Sequence, residues 1–324
     1  MNQTLPWPDG RTLSVDVETG SFSLDGQLLL RAHLDNQHWY LESSEDLFWA
    51  YWALGYWHFS NDPECQVLKL GQGQLSAALL CQGLIQSDGQ AGWQLERSTF
   101  WQLPWPCLRG PSSAGYPLRY VTSERARHPA RPPKPEGEVY RRFDPALGSW
   151  VSFRALDPLA DLALFHRWQN DPRVNAFWNE AGSIEQHREY LRRQAEDPHI
   201  YSLIGSFDDQ PFGYFEVYWA KEDRIAPFCD AGDYDRGMHV LVGEAAHRGA
   251  HKVHSWFPAL THYLFLDECR TQRIVTEPRA DNTTIITHML RMGYWHEKNF
   301  DFPHKRAALV VLSRERFFDR CALR

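Results

Sequence analysis

The first part of the chain alternates apolar and polar residues, as a half-buried β-strand does. Leu13, Val15 and Val17 are separated by polar residues, the turn pair Asp25-Gly26 follows, and residues 27–34 form a further apolar stretch. A period of two, broken by glycine-containing turns, predicts a run of antiparallel strands.

A helix interrupts these strands. Apolar residues recur three and four positions apart from Leu47 to Tyr56, and Ser43 or Ser44 can cap the helix. Further strands are predicted at residues 75–85 and 98–103. Residues 1–124 are therefore predicted to form a smaller α/β or α+β accessory domain, in which no residue pattern points to chemistry.

A proline-rich stretch follows at residues 125–137, with four prolines among basic residues. Such a run favours extended, polyproline-like backbone over helix or sheet. We interpret it as a linker that separates the first domain from a second domain at residues 138–324.

The second domain shows a longer succession of elements, in the order β-α-α-β-β-β-α-β-α-β-β. A capping box, Ser183 to Gln186, opens the second helix of this series. The strands are predicted at residues 150–155, 200–207, 212–219, 237–243, 273–277, 294–302 and 307–313, and the helices at about 157, 183–196, 246–264 and 282–292. This order predicts an α/β fold with a mixed, mostly antiparallel central sheet flanked by helices.

Charge and composition narrow the class of protein. The chain has 41 acidic and 34 basic side chains, a formal net charge of −7, so no overall positive field attracts nucleic acid. The N-terminus lacks a signal-peptide pattern, no apolar run reaches the roughly 20 residues that span a bilayer, and the six cysteines are scattered singly. These features predict a cytoplasmic protein without a membrane or nucleic-acid partner.

Several short motifs make the interpretation sharper. They are Phe165-His-Arg-Trp168, Asn170-Asp-Pro-Arg173, Phe177-Trp178, Tyr214-Phe-Glu-Val-Tyr-Trp219, Asp235-Arg-Gly-Met-His239, Glu277-Pro278 with Asn282, Met292-Gly-Tyr294 and Phe302-Pro-His-Lys-Arg306. Together with the element order they resemble the siderophore-biosynthesis branch of the GNAT acyltransferase superfamily, and within it the enzymes that acetylate N6-hydroxylysine for aerobactin-type siderophores. The resemblance covers nearly the whole chain, and it leaves open that the N-terminal domain is a degenerate GNAT-like unit.

The resemblance implies a function. An enzyme of this branch transfers acetyl from acetyl-CoA to the side-chain hydroxylamine nitrogen of N6-hydroxylysine and forms a hydroxamate, without a metal of its own. N5-hydroxyornithine stays open as the acceptor, because a channel distinguishes one methylene by only about 1–3 kcal/mol. A non-catalytic acyl-CoA-binding module is a second alternative, and a homo-oligomer or an association with other siderophore-pathway enzymes is left open.

The coenzyme site is expected at the start of the helix that follows the strand at 237–243. A helix N-terminus offers free N–H groups and the positive end of its dipole to a diphosphate. Arg248 fits the first position of the superfamily pattern R/Q-x-x-G-x-G/A, but His251 and Val253 stand where small residues are usual. The predicted coenzyme-binding residues are Leu241, Val242, Arg248, Gly249, Ala250, His251, Lys252 and Asn282.

Three histidines on the same helix offer a competing explanation. His247, His251 and His254 have a spacing that suits zinc, as in a metallohydrolase. Arg248 stands where the HExxH motif needs its general-base glutamate, and its charge opposes a nearby cation. We therefore predict no metal site.

His239 is the first catalytic candidate, because strand alternation places it opposite the apolar Met238 and Val240, and the resemblance implies a substrate-facing histidine here. In related acyltransferases an acidic residue after Glu-Pro works with this histidine, so Asp281 is expected to orient His239 or to hold the substrate hydroxyl. The alternative is that Asp281 or Asn282 only caps a helix. Glu216 is a second acid candidate, with a structural ion pair as its alternative.

An amino-acid acceptor also needs charged groups for its own carboxylate and ammonium. His304, Lys305 and Arg306 on the final strands can supply them. Trp168 and Trp178 are predicted to wall the side-chain channel, and core packing is the alternative for both tryptophans.

Overall fold

A computed structural model describes residues 2–43, 47–71, 77–112, 115–320 and Leu323 of the chain. These residues divide into two compact units. The first is drawn from Met1–Pro106, Phe143–Gly148 and Phe318–Arg324, and the second from Cys107–Arg142 and Ser149–Phe317. None of the helices that the described residues form combines the length and the apolar character that a membrane crossing requires.

The first unit is rich in β-structure. Its strands are β1 Asn2–Pro6, β2 Thr12–Asp16, β3 Ser21–Leu24, β4 Gln27–Asp35, β5 His38–Ser43, β6 Val67–Leu70, β7 Gln86–Ser87 and β8 Trp93–Glu96. Its helices are α1 Leu47–Asn61, α2 Ala77–Cys81 and α3 Arg97–Phe100. The prediction of strands at 75–85 and 98–103 is therefore wrong where the helices α2 and α3 form. Residues 75 and 76 of the first predicted strand lie outside the described residues.

The strands of the first unit form one sheet in the order β1-β2-β3-β4-β5-β6-β8-β7. Strands β1 to β5 are antiparallel neighbours, and β5 pairs in parallel with β6 through the crossover helix α1. Helix α1 is apolar almost all round and buried from Ala50 to Ser60 except for His58, as a helix covered by its own sheet requires.

Among its described residues, the second unit contains ten strands and most of the helices. Its strands are β9 Tyr120–Thr122, β10 Arg127–Pro129, β11 Glu138–Asp144, β12 Ser149–Ala155, β13 Ile200–Phe207, β14 Gln210–Trp219, β15 Arg236–Val242, β16 Arg273–Thr276, β17 Trp295–Phe302 and β18 Lys305–Ser313. Its helices are α4 Leu162–Gln169, α5 Pro172–Trp178, α6 Ile184–Glu196, α7 Ala226–Cys229, α8 Ala250–Asp267, α9 Thr283–Arg291 and α10 Arg314–Arg320, the last of which runs on into the first unit.

The main sheet of the second unit has the order β11-β12-β13-β14-β15-β16-β18-β17. Strands β12 to β15 are antiparallel, β15 pairs in parallel with β16 through α8, and β18 lies between β16 and β17. The mixed, mostly antiparallel sheet predicted from the sequence is confirmed.

The two sheets share one strand order. In each, five strands in sequence lead to a crossover helix, a parallel strand, a short helix and a closing hairpin. The second strand of that hairpin lies between the parallel strand and the first strand of the hairpin. They differ after the second strand, where the first unit has a tight turn and the second unit has α4, α5 and α6. These three helices cover one face of the sheet with a core that includes Phe165, Leu191 and Ile204.

The proline-rich segment at 125–137 lies in the second unit. There β10 pairs with β9, and the Arg131 guanidinium donates two hydrogen bonds of 2.6 Å to the buried carboxylate of Glu222. The domain limits expected from the sequence stay a prediction.

A buried ion pair fixes the start of β15, the strand on which the candidate site is built. The Arg236 side chain is fully buried, and its guanidinium donates to the Asp267 carboxylate at 2.8 Å and to the Tyr201 hydroxyl at 2.9 Å. Because Asp267 ends α8, this contact ties the end of the crossover helix to the start of the strand that precedes it.

Removing the anionic partner is expected to destabilise the second unit strongly. Asp267→Asn leaves the Arg236 cation buried without its counter-charge, a loss of about 3–5 kcal/mol in the free energy of unfolding. Urea unfolding followed by tryptophan fluorescence measures it. Arg192→Ala, which removes exposed ion pairs with Glu189 and Glu196 on α6, is the control and is expected to change the midpoint little. Equal midpoints for the two variants would contradict this role of Asp267.

Candidate active site

The candidate site lies where β15 and β16 separate. The parallel pairing of the two strands covers two residue pairs, Arg236 with Ile274 and Gly237 with Val275. Two residues further along, on the same face, β15 carries His239 and the chain leaving β16 carries Glu277. The His239 Nε2 atom lies 2.7 Å from Glu277 Oε1, so a side-chain contact crosses the opening where the backbone pairing has ended.

A second carboxylate contacts His239 from the other side. Glu216 on β14 is the register partner of His239, and its Oε2 atom lies 2.8 Å from His239 Nδ1. We refer to Glu216, His239 and Glu277 as the carboxylate–histidine triad. The structure thus brings together two of the three catalytic candidates, His239 and Glu216, and adds Glu277.

Hydroxyl groups surround the carboxylate of Glu216, which is 3% exposed. Its Oε1 atom accepts hydrogen bonds from the hydroxyls of Tyr190 on α6 and Tyr214 on β14, and from the Gln194 amide at 3.2 Å. These donors favour the ionised form of a buried carboxylate.

Glu277 is fully buried, and one hydroxyl and two cations surround its carboxylate. The Tyr218 hydroxyl donates to its Oε2 atom at 2.7 Å, and the Lys305 ammonium and Arg224 guanidinium lie 3.8 Å and 3.5 Å from its Oε1 atom. Tyr218 fits here because its register partner is Gly237, where an added Cβ would lie 2.1 Å from the ring.

The charges of the triad depend on one another. Burial lowers the pKa of His239, but the Glu277 charge and the hydrogen bonds to both carboxylates raise it more, to about 10. Burial raises the pKa of Glu216 and of Glu277, yet the charge and N–H groups of His239 hold both pKa values below their ordinary range. These mutual effects favour an imidazolium between two ionised carboxylates.

Asp281 does not reach His239, which corrects the expectation that it orients this residue. Its carboxylate is 66% exposed and accepts two hydrogen bonds from the Arg279 guanidinium, and Glu277 occupies the orienting position instead. Asn282 caps α9, because its side chain accepts from the Ile285 N–H. A contact of Asn282 with the coenzyme stays a prediction.

The two tryptophans predicted to wall the acceptor channel have different environments. The Trp178 ring lies beside the triad, with its centroid 6.3 Å from that of His239. Trp168 is 2% exposed within the core under α4, and an added Cβ at Gly243 would lie 2.2 Å from its ring. Trp168 is therefore a packing residue, which corrects its expected place in the channel wall.

A small cleft collects most of the remaining predicted substrate residues. It has a volume of about 270 Å³ and is lined by Arg279, Ala280, Asp281, His304, Lys305 and Arg306. Lys305 connects this cleft with the triad, since its ammonium donates to the Glu277 carbonyl oxygen at 2.7 Å. Lys305 thus places one positive charge of the cleft next to the triad.

The predicted coenzyme residues lie along β15 and at the start of α8. Leu241 and Val242 follow the point where the strands separate, and Gly249 forms the N-cap of α8 with φ +115°, a value that favours glycine. Glycine has no side chain with which to cap the first turn, and α8 has no side-chain hydrogen bond at its N-cap.

The sequence analysis missed the contacts of Arg173, which lies near Val242 and Arg248. Its guanidinium donates to the Val242 carbonyl at 3.1 Å, and Asp171 lies 3.6 Å from it and 3.8 Å from the Arg248 guanidinium. Burial and the positive charge of Arg248 both lower the pKa of Arg173, so two cations share one carboxylate. The Asp-Pro pair at the start of α5 was the available signal, since it places Asp171 at the N-cap.

The other basic residues of α8 have identifiable contacts. The Lys252 ammonium lies 4.2 Å from the centre of the Phe207 ring, on which His247 also stacks, and His254 faces His288. Across residues 2–43, 47–71, 77–112, 115–320 and Leu323, no three His, Cys, Asp or Glu side chains are grouped to hold a metal ion.

Comparison with known proteins identifies the family of this chain. Residues 157–302 match the acetyltransferase (GNAT) domain family. An N(6)-hydroxylysine O-acetyltransferase of Escherichia coli is 47% identical over 248 residues, which are 76% of this chain and 76% of that protein. An N(5)-hydroxyornithine:cis-anhydromevalonyl coenzyme A-N(5)-transacylase of Beauveria bassiana is 48% identical over 65% of this chain and 48% of its own length.

A solved structure shares the fold. An uncharacterized protein of Bacillus halodurans has a TM-score of 0.55 at 25% identity, over 58% of this chain and 95% of that one. The resemblance identified from the motifs is confirmed, as is the assignment of the protein as an acyltransferase. This chain belongs to the GNAT family of acetyltransferases and is a relative of the Escherichia coli N(6)-hydroxylysine O-acetyltransferase.

Proposed function

We propose that this enzyme transfers the acetyl group of acetyl-CoA to the side-chain hydroxylamine nitrogen of N6-hydroxylysine. The product is a hydroxamate, the group with which siderophores of the aerobactin type bind iron(III). The observation that carries the proposal is the carboxylate–histidine triad at the point where β15 and β16 separate. The relationship to the Escherichia coli enzyme supports N6-hydroxylysine as the acceptor.

The coenzyme end of the site is assigned to the start of α8. The free N–H groups of its first turn and the positive end of its dipole suit a diphosphate. Arg248 and Arg173 add two positive charges beside Gly249 and Ala250. We assign the pantetheine arm to the exposed edge of β15 at Leu241 and Val242, which directs the thioester toward His239.

The acceptor suits this chemistry because an N-hydroxyamine is far less basic than the amine of lysine. It is therefore neutral near pH 7 and can attack without first losing a proton. The nitrogen forms a bond to the thioester carbon, the carbon–sulfur bond breaks, and coenzyme A leaves as its thiol with the proton that the nitrogen loses. Trp178 lies beside the reacting end, and His304, Lys305 and Arg306 are available to the charged amino-acid end, with Asp281 on the same cleft.

N5-hydroxyornithine is the second candidate acceptor. The Beauveria bassiana relative is named for this substrate and has nearly the same identity to this chain as the Escherichia coli protein. The two acceptors differ by one methylene, so we expect a preference for N6-hydroxylysine rather than complete exclusion of the shorter acceptor.

The first test compares acceptors and identifies the acetylated atom. With acetyl-CoA, we expect N6-hydroxylysine to release the coenzyme A thiol rapidly and lysine to release it at least 100-fold more slowly, because the lysine ammonium must first lose a proton. An N-acetyl product is a hydroxamic acid and gives a coloured iron(III) complex, whereas an O-acetyl product keeps a basic nitrogen and gives none. Mass spectrometry and the iron assay together distinguish the two.

The outcomes separate the alternatives. Equal rates for lysine and N6-hydroxylysine would contradict the proposed acceptor, and a faster reaction with N5-hydroxyornithine would transfer the assignment to the second candidate. An acetylated product without iron colour would move the reaction to the hydroxyl oxygen, as in the name of the Escherichia coli relative. Binding of acetyl-CoA without thiol release would indicate a non-catalytic module.

The second test concerns the coenzyme site. Arg248→Ala is expected to weaken coenzyme A binding by about 10-fold or more, since a hydrogen bond to a charged group contributes roughly 1.5–3 kcal/mol. Calorimetric titration with coenzyme A measures the change. Arg188→Ala, which removes an arginine from α6 instead, is the matched control and should bind as the unaltered enzyme does. An unchanged dissociation constant for Arg248→Ala would place the diphosphate elsewhere.

A further inference from the structure

His239 uses both of its ring nitrogens at the same time. Nδ1 lies 2.8 Å from a carboxylate oxygen of Glu216, and Nε2 lies 2.7 Å from a carboxylate oxygen of Glu277. A neutral imidazole has one N–H, so its second nitrogen would face a carboxylate with a lone pair. Two ionised carboxylates at these distances are both satisfied only by an imidazolium.

We propose that His239 is a permanently charged positioning residue that holds Glu216 and Glu277 across the separated strands, and that it does not accept the proton of the acceptor nitrogen. The inference rests on the proposed acetyl transfer and assigns a role within that reaction. It differs from the ordinary expectation for a histidine beside a thioester, which is general-base catalysis.

The groups around the two carboxylates hold them in the ionised form. Glu216 accepts from Tyr190 and Tyr214, and from Gln194, as well as from His239. Tyr190, Tyr214 and Gln194 bind the Oε1 atom and stabilise the negative charge of the carboxylate, which a proton on the Oε2 atom beside His239 would remove. The proton between His239 and Glu216 is therefore more stable on the imidazole ring than on the carboxylate.

The same reasoning applies to Glu277. Its carboxylate accepts from Tyr218 and lies near two further cations, Arg224 and Lys305. It is fully buried, so a neutral His239 would leave it and Glu216 as two negative charges on either side of an uncharged ring. The raised pKa of His239, about 10, agrees with the geometry.

The reaction balances without a proton acceptor on the protein. The nitrogen–carbon bond forms, the carbon–sulfur bond breaks, and the proton that leaves the nitrogen ends on the departing sulfur. A thiolate is basic enough to take it, since an ordinary thiol has a pKa near 8.5. His239 can therefore keep its proton through the whole cycle, and the triad contributes by fixing the width of the opening between β15 and β16.

Nitrogen NMR of the full-length enzyme, labelled with ¹⁵N-histidine, tests the inference directly. The His239 signals are assigned by their loss in His239→Gln. We expect both ring nitrogens to show imidazolium shifts from pH 6 to pH 9, with and without bound coenzyme A. A titration of His239 with a midpoint near the ordinary value of 6.5 would overturn the proposal. Neither NMR result depends on turnover, so the iron(III) hydroxamate assay tests the proposed function independently.

A pair of matched variants tests the cause. Glu277→Gln removes one of the two negative charges, so the titration midpoint of His239 should move down into the measured range. Glu196→Gln removes an exposed carboxylate whose partner is Arg192, and it should leave the His239 signals unchanged. If Glu277→Gln does not fold, Glu216→Gln removes the other of the two negative charges and should also lower the midpoint. No downward shift in any folded variant of Glu277 or Glu216 would contradict the role of the two carboxylates.

Discussion

The contact between His239 and its two glutamates is the interaction on which the candidate site depends. Parallel strands are held together by backbone hydrogen bonds, and here these end after two residue pairs, so the space beyond must be stabilised by other means. One positive ring between two buried negative groups provides this, because each charge compensates the burial of the others. The same contact sets the charge of the site and the position of Glu277, and it borders the edge of β15 that we propose for the coenzyme.

Buried ion clusters cost free energy unless every polar group has a partner, and the tyrosines around the triad provide those partners. Tyr214 and Tyr218 lie on the same face of β14 as Glu216, two residues to either side of it. The alternation of side chains along β14 thus places the Glu216 carboxylate and the two tyrosine hydroxyls on one face of the sheet. Gly237 completes the arrangement, because a larger residue would displace the Tyr218 ring.

The sequence predicted the fold of the second unit and named His239 and Glu216 as separate candidates, since strand alternation and local hairpins are visible in the residue pattern. It assigned the partner of His239 to Asp281 and not to Glu277, because the parallel register of β15 and β16 is set across a long crossover and leaves no local pattern. Trp168 was misplaced for a related reason: periodicity shows that an aromatic residue is on an apolar face, but not whether that face meets the core or a channel.

The two units have one strand order and yet differ in the character of their crossover helices. From Leu47 to Phe59, α1 has no acidic residue, lysine or arginine, and the sheet covers it from Ala50 onward, whereas α8 opens with Ala-His-Lys-Val-His and becomes buried only from Ser255. One strand order therefore carries a buried, apolar crossover helix in the first unit and a crossover helix with a polar, solvent-facing start in the second. The two crossover helices differ in the polarity of their first turns, a difference that a handful of substitutions can make without altering the fold.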